Sequence, residues 1–336
     1  MSQNQYTQKI YRSFFWPVIL LGAGVIWLLS NLKIIPTENL WLLLRLWPVL
    51  LIMAGLDVLF ARRLPLIGAL LGLLVLAGVV FILLNGDDLG LKRDIEPRTE
   101  SFSVEVGEST SVDLDLSLSV QETSVSVLQN SSNLFEAEIG HIGEIKFNVV
   151  GTGDKHIDLA QVGVESWFSW VLPDVEGKEL IWDIGLSPQV PFDLDVNAST
   201  GSTELDLAGM QLERFRYDAS TGSSTIILPA STEGYDTHID CSTGSMQIVF
   251  PAESNLTARL DGSTGRIVLD VPESAAVQVD VKDGGTGALR LPADMVKVSG
   301  GENGDEGVYQ TPNFESAAYQ LVIIIEDIGT GSIEVR

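Results

Sequence analysis

Asn197–Leu207 reads NASTGSTELDL, and the phrase returns as DASTGSSTIIL at Asp218–Leu228, DCSTGSMQIVF at Asp240–Phe250 and DGSTGRIVLDV at Asp261–Val271. Each copy has an acidic or amide residue, a small residue, Ser-Thr-Gly, and then apolar residues at alternate positions. Alternation at period two is the signature of a strand with one face in a core. The closing glycines are Gly201, Gly222, Gly244 and Gly265, and looser copies end at Gly287 and Gly331. Pro229, Pro251 and Pro272 follow three of them at one fixed offset, where a residue without an N–H stops the strand.

A unit of about 22 residues cannot bury its apolar face alone, so consecutive units are expected to stack. The expected fold is all-β, a parallel β-helix or similar solenoid, with a sandwich of stacked hairpins as the alternative. The acidic column Asn197, Asp218, Asp240, Asp261 and Asp283 is read as turn chemistry, because Asp and Asn bond their own backbone. A calcium ladder is the competing reading, and no EF-hand or nonapeptide pattern supports it. Cys241 fills the slot of Ala198 and Ala219 and reads as a small buried residue. His141, His156 and His238 show no metal-ligand spacing, no Gly-x-Ser-x-Gly elbow is present, and no phosphate loop with its Lys follows the glycines. No catalytic, cofactor-binding or metal residue is therefore assigned.

Composition changes near Asn85. Before it stand six basic residues (Lys9, Arg12, Lys33, Arg45, Arg62, Arg63) and two acidic ones (Glu38, Asp57), so the net charge of −25 comes from the remainder. Such a surface repels nucleic acid, whose binding needs clustered Lys and Arg. The single Cys permits no intrachain disulfide and leaves the redox compartment open. Before the boundary, three apolar runs match the length that crosses a ~30 Å hydrocarbon core. The expected organisation is a cytoplasmic tail over 1–13, helices over 14–32, 40–60 and 64–84, a linker over 85–100 and an acidic β domain over 101–336. Lys9, Arg12, Arg62 and Arg63 against Asp87 and Asp88 place the tail inside and the β domain outside. FWPVILLGAGVIWLL from Phe15 and LWPVLLIMAGLDVLF from Leu46 are copies, pairing Trp16 with Trp47, Pro17 with Pro48 and Gly24 with Gly55. The glycines are expected to be helix contacts.

Trp167, Phe168, Trp170 and Trp182 crowd into a stretch that breaks the repeat. They read either as an aromatic plug on one end of the stack or as an interaction patch for a ligand or lipid. The loop SGGENGDEG from Ser299 reads as an excursion replacing one expected corner.

FFWPVILLGAGVIWLLSNL and LWPVLLIMAGLDVLF resemble the LiaI/LiaF-like bacterial transmembrane region. The repeats from Gly201 to Gly331 resemble the toastrack or adhesin-type β-repeat domains, which implies a right-handed parallel β-helix. The resemblance implies a non-enzymatic cell-envelope protein, a scaffold or regulator in stress sensing whose partners are the lipid bilayer and a membrane sensor kinase, with self-association allowed. The alternatives are a cell-surface module binding glycan or protein, and a polysaccharide-acting β-helix enzyme.

Overall fold

The computed structural model describes residues 15–32, 34–35, 43, 51–52, 65–85, 98–118, 122–162, 180–300 and 304–336. The chain divides into two units, one holding the helices and one holding residues 96–164 and 176–336.

In the first unit, α1 (Phe15–Asn31) and α2 (Pro65–Leu84) coincide with the first and third expected helices. The second, over 40–60, lies outside the described residues except at Leu43, Leu51 and Ile52. Ile26, Ile35 and Leu83 are buried between the helices, while Leu20, Leu21, Trp27, Leu73, Leu74 and Phe81 point outward. The close contact falls at Gly22, where an added Cβ would stand 2.4 Å from Leu76 Cδ1. Gly24, expected to be that contact, has nothing within 4 Å. Two residues along a helix is about 200°, so the two glycines occupy opposite faces. Among the described residues, no helix is long and apolar enough to cross a membrane.

In the second unit, β8 (Pro191–Asp206), β9 (Gln211–Ile227), β10 (Asp236–Val249) and β11 (Leu256–Asp270) lie side by side, parallel and in register. Each is one rung, bent at Ser-Thr-Gly. Phe192, Leu194 and Val196 are buried before the bend of β8, and Thr203 and Leu205 after it. This change of parity turns the strand while both arms keep their apolar side on one core. Gly201, Gly222, Gly244 and Gly265 stack at the bend. A Cβ on Gly222 would meet the Gly201 carbonyl oxygen at 2.1 Å, and one on Gly244 would meet that of Gly222 at 2.1 Å. Backbone fills the space a side chain needs, so glycine recurs once per rung.

The rungs at each end depart from sequence order. β12 (Ala276–Val281) and β13 (Ala288–Arg290) come next along the chain, yet β16 (Gln320–Asp327) and β17 (Ser332–Val335) pair with β11 instead. β12 and β13 pair on the far side of these, so Gly331 stacks on Gly265 and Gly287 on Gly331. The expectation that consecutive units always stack therefore fails here. Val322, Ile323, Ile324 and Ile325 are β-branched residues suited to a strand flanked on both sides, whereas the Gly-rich 284–287 leads into a three-residue strand suited to an edge. The other end mirrors this. β2 (Ser111–Leu118) and β3 (Glu122–Val127) pair with β8, while β6 (Asp154–Val162) and β7 (Ile181–Leu186), later in sequence, lie outside them.

Antiparallel strands finish both ends. β4 (Asn133–His141) covers β7 and carries β1 (Arg98–Glu105), and β5 (Glu144–Val150) covers β6. Opposite, β15 (Gly307–Gln310) covers β12 and carries β14 (Val296–Ser299), so the loop from Ser299 joins two capping strands. Phe102 of β1 meets Phe147 of β5 at 4.7 Å between ring centroids, and Phe147 meets Phe135 of β4 at 5.6 Å. These phenyls pack together at this end of the stack, while Trp167, Phe168 and Trp170 of the expected aromatic plug lie outside the described residues. The parallel pairing of all the inner rungs does not fit stacked hairpins.

Candidate functional site

The outer face of β6, β2 and β8 concentrates charge because three in-register strands each place polar residues on it at period two. β2 supplies Asp113 and Asp115, β6 supplies His156 and Asp158, and β8 supplies Asp193 and Asp195. Asp113 lies opposite His156 and Asp193, and Asp115 opposite Asp158 and Asp195. Neighbours neutralise part of the cluster: Lys146 pairs with Asp158, Arg214 Nε donates to Asp193 Oδ1 at 2.8 Å, and Asn197 Nδ2 donates to Asp195 Oδ1 at 2.9 Å.

Asp113 and Asp115 share His156. Its Nδ1 lies 3.2 Å from Asp113 Oδ2 and its Nε2 3.8 Å from Asp115 Oδ2, with all three side chains about half exposed. One ligand atom from each falls within 4.8 Å of the others. Burial first, then the Asp113 charge, push the Asp115 carboxyl above the usual carboxylate range, with His156 pulling the other way. Asp195 is raised chiefly by burial, against Arg216. Spacing along the chain hid this group, since His156 and Asp113 are 43 residues apart. The Asp-x-Asp of β2 was visible, but the out-of-order rung that sets His156 beside it was not.

The other sequence candidates fall as follows. Gly201, Gly222, Gly244, Gly265, Gly331 and Gly287 form the bend column, in that spatial order. Trp167, Phe168 and Trp170 lie outside the described residues. Trp182 is fully buried and donates its Nε1–H to the Gly140 carbonyl at 3.1 Å, so it is core and not part of a surface patch. Among the corner acids, Asp283 accepts the N–H of Gly285 as expected, and Asp327 accepts that of Gly329. Asp218, Asp240 and Asp261 make no such bond. They face one another across adjacent strands, and burial followed by the Asp261 and Asp218 charges raises the Asp240 carboxyl. Cys241 is buried opposite Ala219 and Gly262, and burial pushes its thiol up. His141 is buried on β4 with neither ring nitrogen hydrogen-bonded, Glu100 lying 3.4 Å from Nε2.

Residues 93–249 match the family described as the N-terminal domain of toast_rack, and residues 14–59 match the LiaI-LiaF-like transmembrane region. The two resemblances read from the sequence are thereby borne out, and the second implies membrane association. No curated protein sequence matches the chain. Among solved structures, a "putative cell adhesion protein" from Clostridium sporogenes is 18% identical with a TM-score of 0.47, covering 71% of this chain and 99% of its own. A "putative adhesin" from Bacteroides fragilis is 9% identical with a TM-score of 0.28, covering 72% of this chain and 97% of its own. Neither family description names an enzymatic activity.

Proposed function

We propose that this chain is a non-enzymatic, multi-pass protein of the bacterial cell envelope that presents a right-handed parallel β-helix beside the bilayer as a scaffold or regulator in envelope-stress sensing. The observation that carries the reading is the joining of a LiaI-LiaF-like transmembrane region to a toast_rack N-terminal domain in one chain. Physical features support it. The outward faces of α1 and α2 are apolar, as lipid contact requires. The Lys/Arg bias favours an extracytoplasmic β domain, and a membrane sensor kinase is the partner class the transmembrane resemblance suggests. Labelling intact cells with an impermeant thiol reagent tests the placement, using Cys241→Ala with Asp305→Cys in the exposed capping loop. Labelling without lysis is expected; labelling only after lysis would place the β domain in the cytoplasm and sink this orientation.

A second reading makes the stretch around Trp167, Phe168 and Trp170 an interaction patch. The spacing supports it: β6 ends at Val162 and β7 begins at Ile181, so the sequence between them is longer than the Ser-Thr-Gly bends that β8 to β11 pass through without interruption. Tryptophan favours membrane interfaces. The full chain carrying Trp167→Ala and Trp170→Ala is expected to lose surface binding to glycan arrays or anionic-free lipid vesicles; undiminished binding to both removes the patch.

A further inference from the structure

We infer that Asp113, Asp115 and His156 form a site for one divalent transition-metal ion of the Zn2+ type, which ties the rung 154–186 to the rung 111–127. The donors converge by construction. Asp113 and Asp115 stand two residues apart on one strand and so share a face, and parallel pairing sets His156 directly opposite Asp113. Their ligand atoms already lie within 4.8 Å of one another. With metal–ligand bonds of about 2.0–2.2 Å, ligand atoms around one ion sit roughly 3–4 Å apart, so small side-chain rotations close the site.

The surroundings leave this trio, and not its neighbours, free to take a cation. Asp158 and Asp193 each hold a cationic partner and Asp195 accepts the Asn197 amide. Asp113 and Asp115 have one shared imidazole between them, with Asp158 and Asp195 flanking Asp115. The imidazole also separates this cluster from a purely acidic patch, because its two nitrogens face two different carboxylates. One imidazole with carboxylates and open water positions suits zinc or a similar ion, whereas calcium takes oxygen ligands only.

The ion would act as a clasp at an end of the stack. The rung it secures is the outermost parallel one, whose two strands are joined by the tryptophan-bearing stretch.

The test uses the full chain without a polyhistidine tag, in detergent micelles, stripped by chelator and titrated calorimetrically with ZnCl2 and, separately, CaCl2. Single-site Zn2+ binding is expected, weakened at least about tenfold by His156→Ala and by Asp115→Asn, and unchanged by His238→Ala. Zn2+ is further expected to slow amide exchange in β6 of the wild-type chain and not of His156→Ala. Because all three side chains are half exposed, the variants retain the fold, which thermal unfolding of the metal-free forms verifies. Absence of Zn2+ binding, or binding that survives His156→Ala, leaves an ion pair only and overturns the site. Calcium binding of equal strength overturns the assignment of the ion.

Discussion

The four central rungs, β8 to β11, and the rungs at either end obey different rules within one stack. In the centre, sequence order equals spatial order, the bend glycines touch backbone to backbone, and each rung repeats its predecessor's pattern. At the ends, neighbouring rungs trade places, strands shorten, and antiparallel pieces take over. Periodicity is thus a property of propagation, and termination needs departures from it. An unbroken parallel stack would offer a full row of unpaired N–H and C=O groups at each end, and the short β14 with Lys297, together with β5 with Lys146, blunts that row.

The sharpest way to break this contrast is at the bend column. Gly244→Ala sets a methyl about 2 Å from the Gly222 carbonyl at a backbone φ of 138°. It is expected to cost about 3 kcal/mol, from strained backbone and overpacking together. Gly287→Ala, on the outer rung, meets a methyl of Ile328 at 2.5 Å and the Gly331 carbonyl at 2.7 Å without a left-handed φ. An outer rung has one side free to move, and about 1 kcal/mol is expected. Urea unfolding of the two variants measures the difference, and equal losses would mean that centre and end are equally rigid.

A smaller effect sharpens the electrostatic side of the comparison. In the centre, Asp240 stands between Asp218 and Asp261 without a cation opposite, whereas at the end Lys146 of β5 holds Asp158 of β6. Like charges directly opposite on adjacent strands destabilise by roughly 0.5 kcal/mol, so Asp240→Asn is expected to raise Tm by about 1–2 °C at pH 7. The sign with pH follows from the raised carboxyl. A group whose folded pKa lies above its unfolded value favours the folded state once protonated, and that contribution is lost as pH rises through the folded value. The wild-type chain therefore closes the gap to the variant as pH falls below that value, which scanning calorimetry from pH 7 to pH 4 follows.

Much of the centre was legible because the physics there is local. Alternating Ile226 and Leu228, or Ile267 and Leu269, announce a buried face, and one small slot per turn announces close backbone approach. What escaped was set by competition between distant segments. Nothing near Gly287 says that residues 320–335 will take its place beside β11; that outcome depends on how much better a run of isoleucines fills an interior position. The same non-local choice put His156 beside Asp113, and so hid the candidate site. The place of Trp182, read as plug or patch, was hidden for a related reason, since its indole reaches Gly140 through a β4–β7 pairing that spans more than forty residues. In α1, the repeat singled out Gly24, whereas the partner helix approaches Gly22, which faces the other way.

The traded rungs also set a timetable. During synthesis, residues 276–290 emerge before the strands on which they finally rest, and for about thirty residues β11 offers them an open, fitting edge. A premature match there would have to be displaced or forestalled by residues 320–335. These late strands enter between rungs already made and act as a keystone, so removing them opens a gap inside the stack and leaves the cap stranded beyond it.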